Sequence, residues 1–260
     1  GDVYKRQANW PQRSAGCGCL DTCGFEKDAF YFYKSVWNQN EKFAYLCPHW
    51  NLKLEKGTVL PVICYTNCED AELFVNGRSF GMKSKGFPCY GMTERYGHFD
   101  RYRRPANTDD LFLSWDVPYE PGKIEVVGYH DGKEVCRYNV ETTGEAAAIK
   151  LTVDKTSVDA DGRSVVQAEV RIVDSEGHLV FDACPELNFT LEGDGEIIGI
   201  DNGDPACHEQ WKETKGRHAF NGMAYAIIRA GQTTGKLKLT VSGAGKDASL
   251  GTKTAVIEQK

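Results

Sequence analysis

Two short dipeptides constrain the fold of this chain most strongly. Asn76-Gly77 and Asp131-Gly132 each sit inside a stretch where apolar and polar residues alternate, 71–80 in the first case and 123–140 in the second. Asn-Gly and Asp-Gly pairs readily take the positive φ that a two-residue hairpin turn demands, and alternation turns one face of each strand toward a core. Further strands are expected over 43–50, 58–67 and 111–117. After a linker at 141–145 they are expected over 148–153, 165–173, 187–191, 197–200, 223–229, 236–241 and 253–257. Short strands at this spacing, with 27 glycines in 260 residues, predict a mainly β chain with two immunoglobulin-like β-sandwich domains, at 42–143 and 146–260.

Ahead of the first sandwich the periodicity changes. Residues 14–20 form a short small-and-apolar run that reads as a buried strand, and Asp21-Thr22-Cys23-Gly24 reads as a loop. Phe25, Ala29, Phe30, Tyr33, Val36 and Trp37 then share one helical face, with Glu26 and Asp28 suited to the first turn. A strand through Phe30-Tyr31-Phe32-Tyr33 is the rival reading, because aromatic residues favour strands. Residues 1–7 resemble the translation of a sequencing adapter and are set aside. With its natural start in doubt, localisation is left unknown.

Composition narrows the partners. A net charge of -6 repels a phosphate backbone, so no nucleic acid is expected. No apolar run approaches the roughly 18 residues of a membrane span, so no membrane partner is expected either. The ten cysteines sit singly in apolar runs and read as small buried hydrophobes of a reducing cytosol, which puts cytoplasmic ahead of periplasmic or secreted. Zinc at Cys17, Cys19 and Cys23 is set aside for want of a fourth ligand, and no metal or cofactor is expected. Arg95, Arg101, Arg103 and Arg104 lie among aromatics in a long loop that suits packing on a barrel or a second subunit. Asp201-Asn202-Gly203-Asp204 offers clustered oxygens for calcium, but the same residues make a tight turn, which is the reading adopted. His208, Glu209 and Trp211 lack the second histidine of a zinc-protease helix.

Several separate strings in order carry a family resemblance. The run from Cys19 through Trp37 resembles the last strand and helix of the (β/α)8 barrel of glycoside hydrolase family 2. Pro48-His49-Trp50-Asn51, the run from Tyr65 through Gly77, and that from Trp115 through Gly122 resemble the immunoglobulin-like domain that follows the barrel in its bacterial β-galactosidases. Asp201 through Pro205, His208-Glu209 and Ala219 through Gly222 resemble that family's additional C-terminal sandwich.

The resemblance implies a C-terminal fragment, with 8–41 a remnant of the catalytic barrel ahead of the two sandwiches. It implies a parent that is a retaining exo-β-glycosidase, β-galactosidase-like and acting in carbohydrate breakdown, with a β-glycoside as substrate. Retaining chemistry requires two carboxyl groups about 5–5.5 Å apart. By resemblance both glutamates precede Trp10, so no catalytic residue is assigned and the chain alone is expected to be inactive. Asp21, directly after the last barrel strand, is implied as a substrate contact in the complete enzyme only. His49, Trp50 and Asn51 are implied at the contact between barrel and sandwich. The missing barrel is itself an implied partner, and a homo-oligomer stays open. The helix, deprived of its barrel, is expected to be poorly anchored up to about residue 40. The alternative is a stand-alone carbohydrate-binding or adhesion protein made of two immunoglobulin-like domains.

Overall fold

The computed structural model describes residues 11–12, 18–85, 111–210, 212 and 215–260. In chain order these form helix α1 (Asp28–Trp37) and strands β1 (Ala44–Cys47), β2 (Val59–Thr66), β3 (Asp70–Val75), β4 (Arg78–Ser84), β5 (Leu113–Pro118), β6 (Lys123–His130) and β7 (Lys133–Glu141). There follow β8 (Ala148–Val153), β9 (Ser157–Val158), β10 (Val165–Val173), β11 (Glu186–Glu192), β12 (Gly195–Asp201), β13 (Gly216–His218), β14 (Met223–Ala230), β15 (Gly235–Gly243) and β16 (Thr252–Gln259). Two compact units result. One is Glu26–Thr142; the other is Thr143–Lys260 together with the described residues up to Phe25. The stretch expected at 8–41 as one block is thus divided between them. Of the strand expected at 14–20, residues 14–17 lie outside the described residues, as does the Arg95–Arg104 stretch.

In the first unit a three-stranded sheet, β1-β2-β5, faces a four-stranded sheet, β4-β3-β6-β7. The two expected hairpins are present. Asn76 and Gly77 have φ of 49° and 80°, and Asp131 and Gly132 have 49° and 69°, the left-handed pair that matches strand twist. Alternation fills the space between the sheets: Ala71, Leu73 and Val75 of β3 meet Leu113, Trp115 and Val117 of β5 and Ile124 and Val126 of β6 in one core. Each fully buried aliphatic side chain there contributes roughly 1.5–3 kcal/mol.

Helix α1 forms as the spacing predicts, and side chains beside its apolar stripe dock it on the first unit. Tyr31 stacks on Tyr45 of β1 with ring centroids 3.7 Å apart, and Phe32 meets Tyr65 of β2 edge-on at 5.6 Å. The Tyr45 hydroxyl donates to Asp28 Oδ1 at 2.8 Å. Tyr45 and Tyr65 alternate with the core residues Leu46 and Cys64, so the helix covers the outer face of this sheet. These contacts hold the helix on the sheet, while Tyr33, Val36 and Trp37 of the apolar stripe are exposed, as a face deprived of its barrel would be. Tyr45→Ala removes both the stacking and the hydrogen bond. Amide protection across α1 in hydrogen exchange is expected to fall by roughly one to two orders of magnitude while β3 keeps its own. Unchanged protection would show that the helix is held by other contacts.

In the second unit a four-stranded sheet, β12-β14-β10-β8, faces a five-stranded one, β13-β11-β15-β16-β9. All pairings are antiparallel except that of β9 with β16. Val166, Ala168, Val170 and Ile172 of β10 point inward by simple alternation against Leu237, Leu239 and Val241 of β15. No helix among the described residues is long and apolar enough to cross a membrane.

Candidate functional site

The second unit carries a cleft of about 660 Å³ on its β12-β14-β10 side. A bulge on β12 shapes it. Ile197 pairs with Ile228 and Gly199 with Ile227, which leaves Ile198 without an opposite residue. An extra residue re-aims the side chains on its strand. Ile197 stays in the core, Ile200 lies between core and cleft, and Ile198 and Gly199 line the cleft with Gln167, Asp201, Tyr225 and Ile227. The Tyr225 hydroxyl donates to Gln167 Oε1 at 2.5 Å.

The other wall comes from far away in sequence, the turn at Asp21-Thr22-Cys23-Gly24. Asp21 Oδ1 accepts from the amides of Cys23, at 2.8 Å, and Phe25, at 2.9 Å, while the Asp21 amide donates to the Phe25 carbonyl at 3.0 Å. An aspartate bonding its own backbone in this way closes a turn. Asp21 does not cap α1, whose N-terminal boundary falls at Lys27. Phe25, buried at the end of this turn, meets the Tyr225 ring edge-on at 5.9 Å. Burial and the neighbouring charges of Asp201 and Asp21 push the Cys23 thiol up to about 12, so it is a neutral lining group and no nucleophile.

Gly203 locks the two parts together. Its φ is 77°, and a Cβ there would lie 2.0 Å from Asp21 Oδ2. Gly203→Ala should therefore cost about 1–3 kcal/mol in the second unit. Adding Asp21→Ala should recover part of that cost by clearing the clash. Chemical denaturation of the single and double variants checks this, and additive losses would contradict the contact.

Behind the cleft, Arg217 is fully buried. Its Nη2 donates to Asp201 Oδ1, its Nη1 donates to the Glu209 carbonyl at 2.8 Å, and its Nε lies 3.5 Å from Glu209 Oε2. Glu209 Oε1 lies 2.6 Å from His218 Nδ1, and Oε2 accepts from the His218 amide at 3.3 Å. Burial raises the Glu209 carboxyl, but the His218 contacts and the Arg217 charge outweigh it and hold the group below its ordinary value. The buried Asn202 donates to the His218 carbonyl at 2.9 Å and accepts from the Asp204 amide at 3.1 Å. Asp204 Oδ1 accepts from the Ala206 amide at 2.8 Å. The Asp201–Asp204 oxygens thus serve the turn and the guanidinium. Among the described residues no group of three or more His, Cys, Asp or Glu side chains is arranged to hold a metal ion; Cys17 lies outside them.

Sequence reasoning identified Asp21 and Asp201–Asp204 separately but did not bring them together. It missed Arg217, for which the only signal is a charged residue in a β run. His49, Trp50 and Asn51 do not share one surface. Trp50 has 0% exposure, donates from Nε1 to the Glu120 carbonyl at 2.9 Å and tilts against Tyr119 at 5.3 Å, so it belongs to the first sandwich's own core. That is a correction: a ring with no exposed surface does not reach a barrel. His49 and Asn51 are partly exposed, with the Asn51 amide 3.3 Å from His49 Nδ1.

A family profile described as "Glycoside hydrolase family 2 C-terminal domain 5" matches residues 149–250, and "Domain of unknown function (DUF4982)" matches 57–136. The chain is 36% identical to Beta-galactosidase BoGH2A of Bacteroides ovatus over 91% of its own length and 25% of that protein's. It is 29% identical to a putative beta-glucuronidase of Formosa agariphila over 82% of itself and 19% of that protein. The crystal structure of a beta-glycosidase from Bacteroides vulgatus superposes with a TM-score of 0.81 at 31% identity, covering 96% of this chain and 29% of that one. The chain spans a quarter or less of the length of these two curated relatives.

Proposed function

The chain belongs to glycoside hydrolase family 2 as a C-terminal part of such a protein, and on that premise we propose that it supports the catalytic domain of a retaining exo-β-glycosidase, a β-galactosidase. The observation that carries this reading is 36% identity to a β-galactosidase over nearly the whole chain. The β-glucuronidase name of the second relative makes a β-glucuronide the competing substrate.

By itself the chain is proposed to be inactive. The carboxylates at the cleft support this: Asp21 is engaged by two amides, and Asp201 by a buried guanidinium. Each is built into a turn or a guanidinium contact, whereas retaining chemistry requires two carboxyl groups about 5–5.5 Å apart, one as nucleophile and one as acid. Any sugar contact by Asp21 belongs to the complete protein and would use Oδ2, since Oδ1 is occupied.

A chimera tests the supporting role. The matching region of the Bacteroides ovatus β-galactosidase is deleted, or replaced by this chain. Deletion should abolish hydrolysis of a chromogenic β-galactoside, and replacement should restore a measurable part of it. A deletion variant as active as the intact enzyme would contradict the role. In the complete natural protein, turnover of the β-glucuronide in place of the β-galactoside would overturn the choice of sugar.

A further inference from the structure

Cysteines at positions 68 and 136 are 68 residues apart in sequence, yet their sulfur atoms are 3.5 Å apart in the first unit. Cys68 lies in the turn leading into β3 and is 2% exposed; Cys136 lies on β7 and is partly exposed. The fold makes room for this pair at one position. Gly128 of β6 pairs with Cys136, and a Cβ there would fall 2.6 Å from Cys136 Sγ and 2.7 Å from Cys68 Sγ. A register shift just beyond, between Gly128 and Tyr129, breaks the regular pairing with β7 at Cys136. Both thiols are free.

We propose that Cys68 and Cys136 are a disulfide-forming pair that ties the entry of β3 to β7 when the protein meets a low-molecular-weight disulfide. Closure needs the sulfurs to approach by about 1.5 Å, within reach of side-chain rotation. The Cys136 thiolate, on the accessible side, attacks one sulfur of the oxidant and releases the first small thiol, which carries away one proton. The Cys68 thiolate then attacks Cys136 Sγ in the mixed disulfide and expels the second small thiol with the other proton. Two protein thiols are oxidised, and one small disulfide is reduced to two thiols.

The surroundings prepare Cys68 for the second step. In the resting pair the hydrogen bond from Cys136 holds the Cys68 thiol below the ordinary range against the effect of burial; once Cys136 carries the small thiol that donor is gone, and the Thr66 hydroxyl and the charges of Lys42 and Lys85 remain to favour the Cys68 thiolate. Cys136 is raised by the same hydrogen bond and by burial, so the first attack is the slow one. Reading these two cysteines as inert hydrophobes therefore does not exhaust their chemistry.

The test incubates the folded, full chain with oxidised glutathione, then traps free thiols with an alkylating agent and maps peptides by mass. The expected result is one linked peptide pair carrying Cys68 and Cys136, both unalkylated, and a Tm of the first unit higher by roughly 10 °C than in the reduced protein. Cys136→Ser should abolish the link and the rise. Recovery of both cysteines fully alkylated, or a link from either to Cys64 instead, would overturn the proposal. Should the Cys136→Ser variant fail to fold, the peptide map of the unsubstituted chain still decides.

Discussion

Replacing Arg217 with alanine is expected to lower the stability of the second unit by about 3–5 kcal/mol. The guanidinium has no exposed surface, and its removal leaves Asp201 and Glu209 without the cation they face. Both carboxylates then lose the charge that offsets them, and the Glu209 carbonyl loses its donor. The loop between β12 and β13 should loosen with it, because Asp201 and Glu209 are its anchors on Arg217. Chemical denaturation, with hydrogen exchange at β11 and β13 to assign the transition to this unit, measures the effect. A loss below about 1 kcal/mol would mean that water solvates the two carboxylates and that the network is marginal.

The second large effect is in the first unit. Trp50→Ala should cost about 3–5 kcal/mol, since a fully buried indole leaves a cavity the surrounding core cannot fill. The Glu120 carbonyl also loses its indole donor. Trp50→Phe should cost less, roughly 1–3 kcal/mol, because it restores ring volume without the hydrogen bond. This pair also separates two roles for the residue. A surface platform for a sugar would lose ligand on truncation and keep its stability; a core residue does the reverse. Near-native stability of Trp50→Ala would contradict the packing described here.

What could be read from sequence follows from how local the cause is. Turn chemistry and alternation are local, so the hairpins at Asn76-Gly77 and Asp131-Gly132 and most strands were legible to within a few residues. β9 and β13 escaped because two or three residues carry no period, and they exist only through pairing with β16 and β11. Helix α1 was legible as a helix, yet the contacts that dock it on the sheet were not. The apolar stripe at Tyr33, Val36 and Trp37 was the stronger signal, whereas the packing uses Tyr31 and Phe32.

The candidate site was harder to read because it is assembled from distance. Asp21 looked like a loop acid and Gly203 like a turn glycine, and nothing in either neighbourhood announces that one fits the other across 182 positions. Arg217 reads as a surface charge until Asp201 and Glu209 are seen around it. Trp50 between two polar residues suggests a ring at a domain contact, and only its burial shows that the ring faces inward.

The role proposed for this chain is to serve a glycosidase without performing its chemistry. It is tested most directly by assaying the purified 260-residue chain on chromogenic β-galactoside and β-glucuronide substrates across the acid-to-neutral range. Release no faster than in a protein-free blank is expected. Turnover that copurifies with the chain and disappears on Asp21→Asn or Asp201→Asn would contradict it, because it would place working carboxylates in the cleft.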